Sequence, residues 1–145
     1  MIIRTTLDKE ELLPKRAHDE DAGADLITPY SIHLGALGDK ITVNTGVKIE
    51  LPVGYFGLVQ GKSGLANKYN ITTIGNIIDE GYEGYIHVML MNLSKETVFL
   101  EAGSKIAQLI VLPYAKVSYV SVNSDEIRET RKTSRGDGKF GSTGK

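Results

Sequence analysis

The sequence contains no cysteine, which excludes disulfides, thiolate zinc sites and cysteine nucleophiles. The same absence fits a reducing compartment such as the cytoplasm. There is no charge excess either: 17 Lys and Arg stand against 18 Asp and Glu, for a formal net charge of −1. Bulk electrostatics therefore do not favour nucleic acid, and an anionic substrate must be met by positive charge concentrated locally. No apolar run approaches the ~20 residues of a membrane helix, so no membrane partner is expected. Residues 1–5 lack the apolar core of a signal peptide. The three histidines, His18, His33 and His87, show no metal-ligand spacing, and no Ser-His-Asp arrangement can be nominated. What is abundant is glycine, at 16 of 145 residues against a usual ~7%. Several glycines cluster in the last ten residues, where they predict a mobile arm rather than a core.

A length of 145 residues predicts one domain, able to bury roughly two-thirds of its unfolded surface. The dominant signal is strand. Residues 43–51 alternate on a period of two in their second half. Residues 55–60, 86–93 and 106–112 are short apolar runs, and 116–122 alternate apolar and polar with β-branched residues. Turn chemistry separates these runs at Pro52-Val53-Gly54, Glu80-Gly81, Glu83-Gly84 and Ala102-Gly103. Many short strands with Gly and Pro turns predict an all-β sandwich, barrel or jelly roll. Two segments suit helix: 9–13, at most one turn before Pro14, and 65–69, a turn or two after Ser63. The chain is expected to divide into a β domain over 1–122 and a C-terminal arm over 123–145.

Several local signals carry chemistry, and each has a plainer rival. Gly61-Lys62-Ser63-Gly64 suits an anion nest with two added donors, but Phe56 stands where a P-loop needs glycine, and alone the run reads as a surface turn. Asp79 ends an apolar stretch, as a turn residue does and as a half-buried base does. Asp21 and Asp25 flank Gly23, an arrangement that reads as a turn and also suits a cation. Phe140, set among glycines and hydroxyls, suits a flap that stacks a ring on a flat ligand.

Each signal is weak alone, but their order is specific. Ala17-His18-Asp19-Glu20-Asp21-Ala22-Gly23-Ala24-Asp25-Leu26 resembles the first motif of the trimeric dUTP pyrophosphatases (dUTPases). Gly61-Lys62-Ser63-Gly64-Leu65-Ala66-Asn67-Lys68 resembles the second, and Asn76-Ile77-Ile78-Asp79-Glu80-Gly81-Tyr82-Glu83-Gly84 the third. Gly103-Ser104-Lys105-Ile106-Ala107-Gln108-Leu109-Ile110 resembles the fourth. The fifth is matched by Arg135-Gly136-Asp137-Gly138-Lys139-Phe140-Gly141-Ser142-Thr143-Gly144.

The resemblance implies a distorted jelly-roll (β-clip) subunit, a C3 homotrimer with active sites between subunits, and hydrolysis of dUTP to dUMP and pyrophosphate. It implies roles residue by residue. Asp79 orients or deprotonates the water that attacks the α-phosphorus, and Tyr82 lies under the deoxyribose and rejects a 2′-hydroxyl. The hairpin from Thr73 through Asn76, Ile77 and Ile78 reads uracil. Lys62, Ser63 and Gly64 hold the phosphate chain, and Gln108 adds a contact from a second subunit. Phe140 stacks on uracil, with Arg135, Gly141, Ser142 and Thr143 near the outer phosphates. Mg²⁺ is the implied cofactor, with no direct protein ligand and with Asp25 in its outer shell. The family pattern is altered at Lys62 and Lys105, where arginine is common, at Asn76 and Lys139, where glycine is usual, and at Gly81 and Tyr85, where acidic or polar residues are common. Asparagine at position 76 is expected to tolerate a positive φ. Two rival readings are a dCTP deaminase, disfavoured by Tyr82 and the intact third motif, and a phage-type dUTPase that also binds a regulatory protein.

Overall fold

A computed structural model describes residues 1–130 and 133. The chain divides into two units, Met1–Ala115 and Lys116–Lys145. The first contains eleven strands among the described residues: β1 Arg4–Leu7, β2 Ala24–Ile27, β3 Ile32–Leu34, β4 Lys40–Asn44, β5 Val47–Glu50, β6 Tyr55–Gly61, β7 Ile71–Ile74, β8 Ile77–Ile78, β9 His87–Asn92, β10 Val98–Leu100 and β11 Lys105–Pro113. A short helix, α1 Ser63–Tyr69, interrupts them, together with a 3₁₀ turn at Glu10–Leu12. Every named ladder is antiparallel. The sheets are β2-β11-β6-β8, β4-β9-β7, and the pairs β1-β5 and β3-β10.

The strands form where the side chains alternate. β9 reads exposed, buried, intermediate, buried along its length, with Val88, Leu90 and Asn92 inward. Leu26, Leu34, Val43, Val47, Val59, Ile86, Leu90 and Ile106 are fully buried and belong to one core. Asn92 is the polar exception. Its amide donates to the carbonyls of Gly35 at 2.8 Å and Glu96 at 2.7 Å, and its oxygen accepts from Ser94, so its burial leaves no polar atom bare.

The all-β expectation holds, and the apolar runs at 55–60, 86–93 and 106–112 become β6, β9 and β11. The run at 43–51 is two strands, not one. Gly46 at φ +69° turns the chain between β4 and β5, and the Thr45 hydroxyl donates to Ile86 O at 2.8 Å and accepts from Val47 N. In the second unit, 116–122 forms no strand among the described residues. Its backbone makes no ladder, and Val117, Tyr119, Val120 and Val122 are all exposed. A short helix follows, α2 Ser124–Thr130, with Asp125 and Glu126 in its first turn, the favourable end for acidic side chains.

Two strand registers bring distant parts of the chain together. On β11, Gln108 faces Asp25 of β2 on one side and Gln60 of β6 on the other. The β2–β11 register shifts between Lys105, opposite Ile27, and Ala107, opposite Leu26. At the other end of β6, Gly57 pairs with Ile78 of β8. A Cβ at Gly57 would come within 3.1 Å of Ile78 Cβ and 3.2 Å of Leu109 Cδ1, so this close approach favours glycine.

Candidate active site

The three-stranded rung Asp25–Gln108–Gln60 joins the first and fourth motifs and abuts the second, all far apart in sequence. Asp25 is 8% exposed and sits on a strand rather than in the turn that its spacing suggested. Its carboxylate is claimed from two sides. Lys62 Nζ contacts Oδ1, and Lys105 Nζ lies 2.8 Å from Oδ2. Burial opposes the charge on Asp25, but the hydrogen bonds from Lys105 and Lys62 and the attraction of both ammoniums outweigh it, so its pKa falls below 3.8. Asp25 reciprocally raises the Lys105 pKa through its hydrogen bond and its charge. The Gln108 amide donates to Gly61 O at 3.3 Å. Gly23 makes room for it, since a Cβ there would stand 2.5 Å from Gln108 Oε1.

Beside this rung is a cleft of about 440 Å³, lined by Lys62, Ser63, Thr73, Asn76 and Gln108 among others. Lys62 ends the strand run in an extended conformation and Ser63 opens α1. Gly64 follows in the first turn, exposed. The segment is thus a strand-to-helix junction rather than an isolated turn. Thr73 is buried on β7. The positive φ of the β7–β8 hairpin falls on Gly75, at +64°, and Asn76 is not in that region. The expectation for Asn76 is therefore corrected: its side chain serves as an anchor. In the amide orientation that its surroundings require, its nitrogen donates to Val59 O and Ile74 O at 3.2 Å and to Thr73 Oγ1 at 3.3 Å.

Asp79 lies elsewhere. It lines a second cavity, about 450 Å³, with Phe56, Ile77, Glu80, Gly81 and Tyr114. Asp79 is exposed rather than half-buried, and no hydrogen bond reaches its carboxylate among the described residues. Its backbone is well held. Asp79 O accepts from Tyr82 N at 3.0 Å. Next to it, Glu80 Oε2 accepts from Gly54 N at 2.7 Å and from Tyr114 Oη at 2.9 Å. Ile77 is 56% exposed, whereas Ile78 is in the core. Tyr82 borders a third cavity, about 520 Å³, with Arg4, Lys48 and Glu50. Its hydroxyl donates to Tyr85 O at 2.8 Å, and its ring crosses Gly84, where a Cβ would meet Oη at 2.4 Å. Tyr85 donates to Asp8 at 2.7 Å and carries Lys48 over its ring.

One chain therefore brings Lys62, Ser63, Thr73, Asn76 and Gln108 to one cleft and leaves Asp79 and Tyr82 on others. Arg135, Phe140, Gly141, Ser142 and Thr143 lie outside the described residues. Two contributors escaped the sequence reading. Glu80 gave no signal, because its partners are 26 and 34 positions away. Lys105 stood out only as a departure from the family pattern, although its three-residue distance from Gln108 marks both as members of the fourth motif. Among the described residues no group of three or more His, Asp or Glu could hold a metal ion.

The sequence profile of the dUTPase family matches residues 9–144. The deoxyuridine 5'-triphosphate nucleotidohydrolase of Cutibacterium acnes is 38% identical over 146 residues, which cover 99% of this chain and 92% of that one. Among solved structures, EIAV dUTPase superposes with a TM-score of 0.72 at 36% identity, over 86% of this chain and 98% of that one. The dUTPase of Staphylococcus bacteriophage 80alpha with dUPNHPP gives a TM-score of 0.87 over 99% of both chains; at 24% identity this is a likeness of fold. The antiparallel β architecture is thus the jelly-roll type of these proteins. The chain belongs to the dUTPase family, and by that membership it is an enzyme, a dUTP diphosphatase.

Proposed function

We propose that the chain cleaves dUTP to dUMP and pyrophosphate by water attack at the α-phosphorus, in sites assembled between copies of a homotrimer. The observation that carries this reading is the separation of the two halves of the machinery: Asp79 faces one cavity, and Lys62, Ser63 and Gln108 face another. A neighbouring copy supplies whichever half is missing. The exposed, strand-patterned 116–122 segment, with Val117, Tyr119 and Val120 outward, suits burial against such a neighbour.

In this reading Asp79 orients the attacking water and takes its proton. Its carboxylate is exposed and has no partner among the described residues, so its lone pairs are available to the water. The turn held by Tyr82 N and buttressed by Glu80 fixes where that carboxylate points. The hairpin at Thr73, Asn76, Ile77 and Ile78 reads uracil through backbone groups, and Tyr82 supports the sugar. Lys62, Ser63 and Gly64 hold the phosphate chain, joined by Gln108. Closure by Arg135, Phe140, Gly141, Ser142 and Thr143 rests on the fifth motif alone. Mg²⁺ fits the residues present as an ion carried in by the triphosphate, because the described residues offer no acidic cluster to cage it and both Asp25 oxygens already meet Lys62 and Lys105. When bound, it would neutralise charge on the phosphate oxygens. The proposed role is to keep uracil out of DNA and to supply dUMP for dTMP synthesis, in the cytoplasm.

Control of virulence-gene transfer, ascribed to phage dUTPases such as that of bacteriophage 80alpha, belongs to those proteins; no observation on this chain favours it. The test is complementation. Asp79→Asn and Lys62→Ala proteins, each nearly inactive alone in pyrophosphate release from sub-saturating dUTP, are unfolded together and refolded. Shared sites recover roughly a quarter of wild-type activity, the chance that random assembly places both intact residues in one site. Mixtures that stay inactive would contradict assembly between copies, and equal hydrolysis of dUTP, dTTP, dCTP and UTP by the wild type would contradict the substrate.

A further inference from the structure

Lys62 is asked to hold phosphate, yet its ammonium is already engaged by Asp25. Asp25 is buried on β2 and wedged opposite Gln108, so it cannot turn to water when Lys62 leaves. A buried carboxylate stripped of its only cation is strongly disfavoured, and that penalty would fall on nucleotide binding. The carboxylate, however, has two oxygens and two cations. Lys62 takes Oδ1 and Lys105 takes Oδ2 at 2.8 Å, with the lysine side chains 28% and 54% exposed and Asp25 9%. A lysine ammonium is a point charge on a flexible stem and exchanges acceptors without the fixed planar fork of arginine.

We propose that Lys105 is a positioning residue for substrate binding: it stays on Asp25 as that carboxylate's standing counter-ion and so frees Lys62 to move onto the phosphate chain. The two arginine-to-lysine departures from the family pattern then form one device, a carboxylate shared by a resident cation and a mobile one. The proposal rests on the reading of Lys62 as a phosphate contact. It differs from a role in which Lys105 itself touches phosphate, and from one in which Lys105 only holds the fold together.

The test is a double-mutant cycle on binding of the non-hydrolysable analogue dUpNHpp, by calorimetry on the full-length protein with Mg²⁺ present. Lys105→Ala is expected to weaken binding about tenfold or more in the wild-type background, and less than about twofold in the Asp25→Asn background, where no carboxylate needs compensation. Lys105→Arg, which keeps the charge, is expected to bind as the wild type does. The melting temperature of the unliganded Lys105→Ala protein is expected to stay unchanged, since Lys62 still covers Asp25. An equal loss in both backgrounds would make Lys105 a direct phosphate contact and overturn the proposal, as would a Lys105→Ala protein that binds normally. Lys62→Ala separates the two layers. If it weakens binding while Lys105→Ala does not, only the inference fails. If Lys62→Ala binds normally, the underlying reading fails as well.

Discussion

Two aspartates in this molecule have opposite surroundings. Asp25 is buried, is paired with two lysines and has its pKa lowered. Asp79 is exposed, its backbone is fixed and its carboxylate has no partner among the described residues. A carboxylate whose lone pairs already meet ammoniums is a poor proton acceptor and a good strut. A carboxylate left bare at the end of a rigid turn is the reverse. On the proposed reading the chemistry belongs at Asp79 and the architecture at Asp25, although both are aspartates that sequence alone reads as turn residues.

The sharpest way to break this contrast is Asp79→Asn. Hydrolysis of dUTP is expected to fall by about 10²–10⁴-fold, with dUpNHpp binding kept; unchanged pyrophosphate release would end the assignment of the base. Next in size, Lys62→Ala is expected to raise the Kd for dUpNHpp about 10- to 100-fold, the scale of one charge-assisted contact, and calorimetry reads it directly. Asp25→Asn is expected to lower stability by about 1–3 kcal/mol at neutral pH, less than a deeply buried pair would because both lysines reach solvent.

That contribution has a defined pH dependence. Because the folded-state pKa of Asp25 lies below 3.8, its stabilisation is present above 3.8 and fades as pH falls through the lowered value. Urea midpoints of wild type and Asp25→Asn should therefore converge in acid, and a gap that stays constant would refute the ion-pair account. Smallest is Glu80→Ala, which removes the acceptor for Gly54 N and Tyr114 Oη. It is expected to cost about 1 kcal/mol in thermal unfolding and to lower kcat while Kd holds, because it loosens the Asp79 turn without touching the cleft that Lys62 lines.

The sequence made the long strands legible because their pattern is local. β6, β9 and β11 each carry their own short apolar run. β3 and β10 are three residues each, too short for any period to show. The 43–51 run hid a turn, since Gly46 breaks the chain without breaking the apolar pattern. Residues 116–122 have a strand's alternation but no ladder in their own chain, because pattern specifies a face and not a partner. In the site, the motifs named Lys62, Ser63, Asp79 and Gln108 as members of a set. They could not show that Asp25 would be buried, because its counter-ions lie 37 and 80 positions later in the chain. The same limit applies to Asn76, where the positive φ was one residue upstream at Gly75.

The shifted register on β11 makes part of the fourth motif a fixed measure of length. Lys105 and Gln108 are three residues apart, an odd interval that a regular strand would send to opposite faces. Their partners Ile27 and Asp25 are two apart, so the extra residue between Lys105 and Ala107 absorbs the mismatch and brings both side chains to the Asp25 side. Deleting Ile106 or Ala107 would leave Lys105 and Gln108 two apart on a regular ladder, still on one face, whereas flattening the bulge with every residue kept would carry Lys105 to the far face. The bulge and the number of residues must therefore change together or not at all.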